Sequence, residues 1–541
     1  MTWWKPTTWF RGGATVVRVV RAKFDSAQTT PENRRHWANA DGYSADVAAS
    51  PDVRRTLRNR ARYEVANNSY ARGIVLTLAN DVIGTGPRLQ MLLGAGLDGD
   101  GGAGGVSGVN GLIEREFSAW AKAVDLPGKL RTMRMARAQD GEAFALLFSN
   151  SELQHPVKLD LRLIEADQIT TPGPAALRRD DGGLGENTVD GIEFDAFGNP
   201  AAYHVLTSHP GGGAGGGAGY VVQGFECVPA ANMIHWFRVD RPGQSRGLPD
   251  ILPALPLFAQ LRRYTLAVIA AAESAANVAI FMKTNTPAGG EAADVEAMTE
   301  MEFTPNMAVF GPEGWEPIQI KAEQPTTSYA EFKHELLNEI ARCLNMPFNI
   351  AACNSSGYNY SSGRLDHQTY YKSIRVEQDH CEDVVLDRIL YMWLAEAAAV
   401  SPELAELGRP AAAHASAHAN ASAANASVVK NISAGVDVLE GMVPAVPHQW
   451  FWDGREHIDP GKEANAQATR LANNTTTLAT EYAKQGKDWE TELRQRAREV
   501  ALCRELGLPL SQAASQPIAT DTQKQQKKDE NDAKQSKSPA A

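Results

Sequence analysis

The run SYAEFKHELLNEIARCLNMPFNIAACNSSGYNYSSGR, Ser328 to Arg364, decides the architecture. Ser328-Tyr-Ala-Glu331 reads as a capping box, which satisfies the free amides at the start of a helix. Phe332, Leu336, Ile340 and Leu344 then recur every four residues, with Leu337 and Ala341 beside them, so one face is apolar. Asn345 and Pro347 stop the helix. The polar stretch Pro347 to Gly363 reads as a loop. Arg364 to Val400 reads as another long helix, with Ile374, Cys381, Val384, Val385, Ile389 and Trp393 near helical spacing. Glu377, Asp379, Glu382, Asp383 and Asp387 on its other side read as a solvated face.

Working upstream, Leu248 to Asn277 reads as a helix with Pro249, Pro253 and Pro256 confined to its start. Its alanine-rich body lets neighbouring helices approach closely. Asn277–Thr284 and Met307–Ile320 read as strands around a short helix at Glu291–Glu302, which makes a small α/β insert between two long helices. Residues 112–240 combine one helix, Leu112 to Ala123, with β runs at Ala143–Phe148, Leu159–Ile164, Gly191–Phe194, Ala201–Leu206, Tyr220–Phe225 and Met233–Phe237. The turn residues between them indicate an α+β domain. Pro51–Ala66 and Ser69–Val82 read as helices, the first behind a Ser50 cap, the second ending at Gly84-Thr85-Gly86-Pro87. Gly94–Gly111 and Gly211–Gly219 read as flexible loops.

Downstream, Ala411–Ser427 is of low complexity. Helices are expected at Pro460–Lys484 and Trp489–Leu506, and from Ser511 the Gln/Lys/Asp-rich tail is expected to be disordered.

The 541 residues are 43% apolar and 22% charged, which permits a sizeable core and excludes global disorder. The net charge of −11 argues against a generic nucleic-acid binder, whose affinity for phosphate comes from Lys and Arg. Residues 1–72 are nonetheless basic, with Arg54, Arg55, Arg58, Arg60 and Arg62 in one helix. They read either as a solvated arm and helix face or as a contact for an acidic partner. The five cysteines form no C-x-x-C pair, which fits a reducing compartment rather than a disulfide scaffold. The start lacks a signal-peptide core. Tyr264–Met282 carries one charge, Glu273, but its alanines contribute too little transfer energy for a membrane span.

No catalytic or metal constellation is expected. There is no G-x-S-x-G, and Ser361-Ser362-Gly363 with His367 lacks an orienting acid. His414 and His418 lack a third ligand, and His334-Glu335 lacks the second histidine of H-E-x-x-H. No Walker A sequence is present. Cys343, Cys353 and Cys381 read as small apolar fillers. No cofactor is expected.

Four stretches carry a further signal: NNSYARGIVLTLANDVIGTGPRLQ (Asn67–Gln90), HWFRVDRPGQSRGLPDILPAL (His235–Leu255), GYNYSSGR (Gly357–Arg364) and WFWDGREHIDPGKEANA (Trp450–Ala466). In this order the chain resembles lambda-type bacteriophage portal proteins over nearly its whole length. The resemblance implies a multi-domain α+β portal fold, a twelve-fold homo-oligomeric ring at one capsid vertex. It implies an N-terminal arm at 1–39, which a head protease can process. The wing falls at 40–247 with a return at 401–470. The stem helices fall at 248–276 and 326–346 around a clip at 277–325. A tunnel loop at 347–363 precedes the long helix 364–400, and a crown at 471–510 precedes the tail 511–541. The Gly-rich inserts and Ala411–Ser427 depart from the family pattern.

Expected partners are the large terminase subunit, major capsid and scaffold proteins, head-completion or adaptor proteins, and double-stranded DNA passing without sequence readout, with no membrane. The expected location is the virion, after assembly in the host bacterial cytoplasm. Asn354, Ser355, Ser356, Tyr358, Asn359, Tyr360, Ser361, Ser362 and Arg364 are the expected DNA-channel residues, with Gly357 and Gly363 supplying freedom to swing. The same loop also reads as a plain helix connector. Lys283, Glu313 and Lys321 are expected on the terminase-docking clip, and Ala271 and Ala275 in stem packing. The rival reading is a DNA-packaging enzyme or head peptidase, which the missing motifs disfavour.

Overall fold

A computed structural model of the chain describes residues 31, 34–93, 103–172, 187–212, 224–276, 280–284, 315–319, 328–401, 446–454, 460–483, 485, 487 and 489–508. In chain order the described elements are α1 (Ala45–Ala48), α2 (Pro51–Asn67), α3 (Ser69–Val82), β1 (Arg88–Met91), α4 (Ala103–Ala123), α5 (Leu126–Asp140), β2 (Glu142–Ser149) and β3 (Leu159–Ile164). The short strands β4 (Thr188–Val189), β5 (Ile192–Phe194), β6 (Pro200–Leu206), β7 (Phe225–Pro229) and β8 (Met233–Phe237) follow. Then come α6 (Leu255–Ala276), β9 (Ile280–Thr284), β10 (Trp315–Gln319), α7 (Ser328–Arg342), α8 (Phe348–Ala351), α9 (Tyr360–Cys381) and α10 (Asp387–Val400). The last are β11 (His448–Phe451), α11 (Pro460–Ala472), α12 (Leu478–Ala483) and α13 (Trp489–Glu505). A π-helical turn, Glu382–Leu386, joins α9 to α10.

The chain divides into two compact units. The first comprises residues 1–79, 132–148 and 161–388, the second residues 80–131, 149–160 and 389–541. In the first, β4–β5–β6–β7 form an antiparallel sheet. Strand β2 pairs antiparallel with β8, Glu142 opposite Phe237. Their core joins Phe144, Leu146, Ile164, Ile169, Tyr203 and Met233. Strands β9 and β10 form a separate antiparallel ribbon with Lys283 opposite Glu316.

The second unit is built around an aromatic cluster. Phe117 lies 5.3 Å from both Trp120 and Trp393 and 5.6 Å from Trp450, between ring centroids. Trp120 Nε1 donates to the Leu159 carbonyl at 2.8 Å, so its polar edge is satisfied inside the core. Strand β1 pairs antiparallel with β11, Leu89 opposite Trp450. At the preceding turn the Thr85 amide and hydroxyl donate to the Asp453 carboxylate at 2.5 and 2.6 Å. A Cβ on Gly84 would collide with that carboxylate.

Several expectations need correction. Helix α4 starts at Ala103, not Leu112, so residues 103–111 of the expected glycine loop are helical. Each glycine costs about 1 kcal/mol against alanine, but the buried face of Ile113, Phe117 and Trp120 anchors the helix. Residues 94–102 lie outside the described residues. Helix α5 was not expected. Pro127 occupies its first turn, where its missing amide is harmless. Strand β7 begins at Phe225, and residues 220–223 lie outside the described residues. The helix expected at Pro460–Lys484 is divided into α11 and α12, with Asn474 at φ 54° between them. The expected helix Glu291–Glu302, the start of Met307–Ile320, His414, His418 and the tail lie outside the described residues.

Candidate functional site

Helices α6 and α7, the loop after α7 and helix α9 all belong to the first unit. Helix α6 buries Leu255, Phe258 and Leu261 near its start. There the Asn68 amide donates to the Phe258 carbonyl at 3.4 Å, and Arg262 pairs with Glu64 at 3.1 Å. Helix α7 packs on α6 through Tyr264, whose ring centroid lies 4.9 Å from Phe332 and 5.5 Å from Tyr329. Leu336, Leu337, Ile340 and Ala341 form its buried stripe, as the four-residue spacing requires.

Leu266 is 59% exposed and Ile269 48%, and Phe332, although packed on Tyr264, remains 53% exposed. Ala271 is partly buried, while the side chain of Ala275 lies outside the described residues.

Helix α7 ends as its sequence requires. Asn345 takes φ 52°, and the Met346 amide reaches back to the Ala341 carbonyl at 3.1 Å. The following stretch is not all loop. Pro347 caps α8, and Phe348, Asn349 and Ala351 are buried. The Asn349 amide nitrogen lies 2.8 Å from His367 Nε2. The open part is residues 353–358. Asn354, Ser355, Ser356 and Gly357 are exposed, and Tyr358 is partly buried. The Asn354 carbonyl oxygen accepts from the Ser356 amide at 2.9 Å and its hydroxyl at 2.6 Å, closing a local turn. Burial raises the Tyr358 pKa, reinforced by Asp366.

Asn359 to Gly363 were expected in the loop. Asn359 is instead the N-cap of α9, its side chain accepting from the Ser362 amide at 2.9 Å. Tyr360, Ser361, Ser362 and Gly363 form the first turn, and Arg364 is exposed just beyond it. The structure therefore brings Asn354, Ser355, Ser356 and Tyr358 together in one turn and assigns the rest to the helix start. Cys353 also departs from expectation. It is exposed at φ 50°, not a buried filler, whereas Cys381 is buried. Lys283 lies on β9, opposite β10. Glu313 and Lys321 lie outside the described residues.

A buried charge network stands in the same unit. Arg246 and Glu142 are both fully buried and paired at 2.6 Å. Glu142 also accepts from the Gly247 amide at 3.0 Å and lies 3.1 Å from His235 Nε2. Burial alone would raise the Glu142 pKa, but Arg246 and His235 hold it well below the carboxylate range. Arg246 Nη1 also donates to Asp190 Oδ2 at 2.9 Å, and Arg54 binds the same carboxylate. Arg58 reaches Asp167 at 2.9 Å, and Arg62 reaches Asp140 at 2.6 Å. The arginines at 54, 58 and 62 therefore form neither a solvated face nor a partner contact. Buried cations require paired anions, and α2 supplies its cations to this internal set. A second set joins Arg134 to Asp250 at 3.0 Å and to Glu377 at 2.8 Å, with Arg238 on Asp250 at 2.8 Å. Glu377 is thus engaged inward rather than merely solvated.

Sequence reasoning missed these networks because their partners are far apart in the chain. The available signal was the charge-dense run Arg238–Asp250, where each charged residue has a fixed partner. There the Gln244 carbonyl oxygen accepts from the Asp240 amide at 2.9 Å, and Ser245 binds Asp46 at 2.7 Å. A Cβ on Gly247 would run into the Gly141 carbonyl, so the backbones touch beside Glu142.

Among the described residues no helix is long and apolar enough to cross a membrane. A solved structure titled as the neck of an empty GTA particle computed with C6 symmetry resembles this chain at 13% identity and TM-score 0.38, covering 72% of this chain and 96% of its own. Another, the neck of a native GTA particle computed with C12 symmetry, gives 13% identity and TM-score 0.35, covering 69% and 91%. The probable portal protein of Halomonas phage phiHAP-1 is 24% identical over 503 residues, spanning 90% of this chain and 88% of that protein. The family model described as phage portal protein, lambda family, matches residues 31–378, well over half of the sequence, and the chain belongs to that family.

Proposed function

We propose that the chain assembles into a closed, twelve-fold ring whose channel passes double-stranded DNA during packaging and ejection. The observation that carries this reading is the uncovered apolar surface of the stem, Leu266 and Ile269 on α6 and Phe332 on α7. Large exposed apolar side chains on two packed helices call for a partner surface, and closed symmetry lets identical copies cover one another. Leu365 and Val376 on α9 are also exposed, and beyond the exposed Lys372 and Arg375 the end of the helix and its π turn expose Asp379 and Asp383 one turn apart. Acidic groups along a channel repel phosphate and keep DNA from sticking as it slides.

In this reading the turn 353–358 touches passing DNA through neutral hydrogen-bonding groups, without reading bases. The β9–β10 ribbon belongs to the clip. Lys283, Glu313 and Lys321 are candidates for docking the large terminase subunit, and later the head-completion or adaptor proteins. The wing meets capsid and scaffold proteins. The ring sits at one vertex of the virion after assembly in the host cytoplasm, and acts as a conduit without catalysis or a cofactor.

Electron microscopy and native mass spectrometry of the purified chain test the assembly, with an ATP hydrolysis assay beside them. Closed rings without ATP turnover are the expected result. A stable monomer at micromolar concentration would overturn the ring, and intrinsic ATP turnover would overturn the passive conduit.

A further inference from the structure

The sheet β4–β5–β6–β7 turns Ile192, Tyr203, Val205 and Val228 into the core. Strand alternation places Glu193, His204 and Cys227 on its other face, one on each of β5, β6 and β7. His204 and Cys227 stand directly opposite each other in the β6–β7 register. His204 Nε2 lies 2.8 Å from Glu193 Oε1. A donor atom from each of the three residues lies within 4.8 Å of the others. His204 is only 4% exposed, and its Nδ1 is buried with no hydrogen-bond partner. The protein thus leaves a buried imidazole half satisfied beside a thiol and a carboxylate.

We propose that Glu193, His204 and Cys227 bind a zinc ion. Thiolate and imidazole donors favour zinc over magnesium or calcium, which take oxygen ligands. Zinc–donor distances of about 2.0–2.3 Å require the three groups to close in only slightly, and a water completes the tetrahedron. A second group, Glu165, Asp167 and His209, has similar spacing. It already holds a cation, because Arg62 approaches Asp167 at 2.8 Å and Glu165 at 3.3 Å. Among the described residues no arginine or lysine is paired with the Glu193 group. His204 and Cys227 flank the Gly211–Gly219 insert in sequence, so the ion closes the loop that carries it. It ties β7 to β5 and β6 across the outer face of the sheet and constrains the unfolded chain.

The test uses the reduced, tag-free full-length protein, with Co²⁺ as a spectroscopic probe and Zn²⁺ as competitor. One equivalent of Co²⁺ per chain should give a thiolate-to-cobalt charge-transfer band that Zn²⁺ removes. Cys227→Ser should abolish the band, Cys353→Ser should leave it, and Glu193→Gln should weaken binding at least about tenfold. On the unaltered protein, Zn²⁺ should protect Cys227 from alkylation, read by mass spectrometry, without protecting Cys353. This second measurement needs no substitution, so it holds even where Cys227→Ser misfolds. Absence of the band, its persistence in a folded Cys227→Ser protein, or unprotected Cys227 would overturn the site.

Discussion

Arg246 and Glu142 meet edge to edge. Arg246 Nε donates to Glu142 Oε2 at 2.8 Å and Nη2 to Oε1 at 2.6 Å, a two-pronged pair with no solvent contact on either side chain. This geometry fixes both position and angle of the chain after β8 against the start of β2. Arg246→Ala should destabilise the first unit by about 3–5 kcal/mol, because it strands a buried carboxylate. Arg246→Lys should recover only part of that loss, since an ammonium cannot make the fork. Thermal unfolding of the two variants beside the parent checks the order. An alanine variant as stable as the parent would remove the pair from the account of the fold.

Acidification should unfold the same unit in two steps. Burial lowers the His235 pKa, so the neutral imidazole is favoured in the fold. Its contribution is full above the unfolded pKa of about 6.5 and falls as pH drops through that value. Glu142 and Asp167 have pKa values lowered by their arginines against the opposing effect of burial. Their contribution is full above the unfolded carboxylate range of about 4 and is lost as pH falls below it. Asp140 runs the other way, because burial raises its pKa above the usual value. It partly offsets the lower step. The unfolding midpoint measured from pH 7 to 3 should therefore drop near pH 6 and again below 4, and His235→Gln should flatten the first drop alone.

The four sequence stretches that carried the family resemblance now have physical meanings. The stretches Asn67–Gln90 and Trp450–Ala466 meet where Thr85 donates to Asp453 and Leu89 lies opposite Trp450. His235–Leu255 contains Arg238, Arg246 and Asp250 of the two buried charge sets. Gly357–Arg364 contains the Asn359 cap. Helices with strong periodicity, such as Ser69–Val82 and α7, were legible because one stripe of each is buried and local capping agrees with it. The charge sets were not, since Glu142 and Arg246 are paired only once distant segments meet. Helix α5 was hidden for the same reason. Its inward face interrupts the buried Leu126, Leu130, Met133 and Ala138 with Arg134 and Arg137, which only their distant acidic partners make burial-competent.

Asn359 should act on the start of α9 rather than on the exposed turn before it. Asn359→Ala removes the bond to the Ser362 amide and should cost about 0.5–2 kcal/mol. Asn359→Asp should restore most of it. Hydrogen exchange at Ser361 to Arg364 is the direct readout. Faster exchange in the alanine variant only, with the rest of α9 unchanged, is the expected pattern.

The stem should tolerate little change at its uncovered face if identical copies cover it. Ile269→Glu places a charge on that face and should shift the assembly toward smaller species. Ala271→Leu should overpack a contact between helices and cost about 1–3 kcal/mol. Native mass spectrometry gives the species distribution, and circular dichroism verifies that helix content is retained. Unchanged rings in the Ile269→Glu protein would move the subunit contact away from this face of α6.

The open turn is the remaining test of how DNA meets the chain. Its exposed tip is Asn354-Ser355-Ser356-Gly357, bounded by the buried anchor Phe348 and the helix cap Asn359. Replacing Asn359-Tyr360 by Gly-Gly would confound two effects, because it removes the cap of α9 along with any contact to DNA. Shortening the tip by deleting Ser355 and Ser356 leaves both anchors in place. The tip carries no charge, so its contact with a phosphate backbone is weak and suits sliding or a one-way check rather than tight retention. The deletion should leave ring assembly and terminase docking intact while lowering the DNA retained per head. The measurement is DNA length in nuclease-treated heads assembled with the altered ring. Full-length, stably held DNA would make the turn a connector between α8 and α9. Rings that fail to close would make it part of the subunit contact instead.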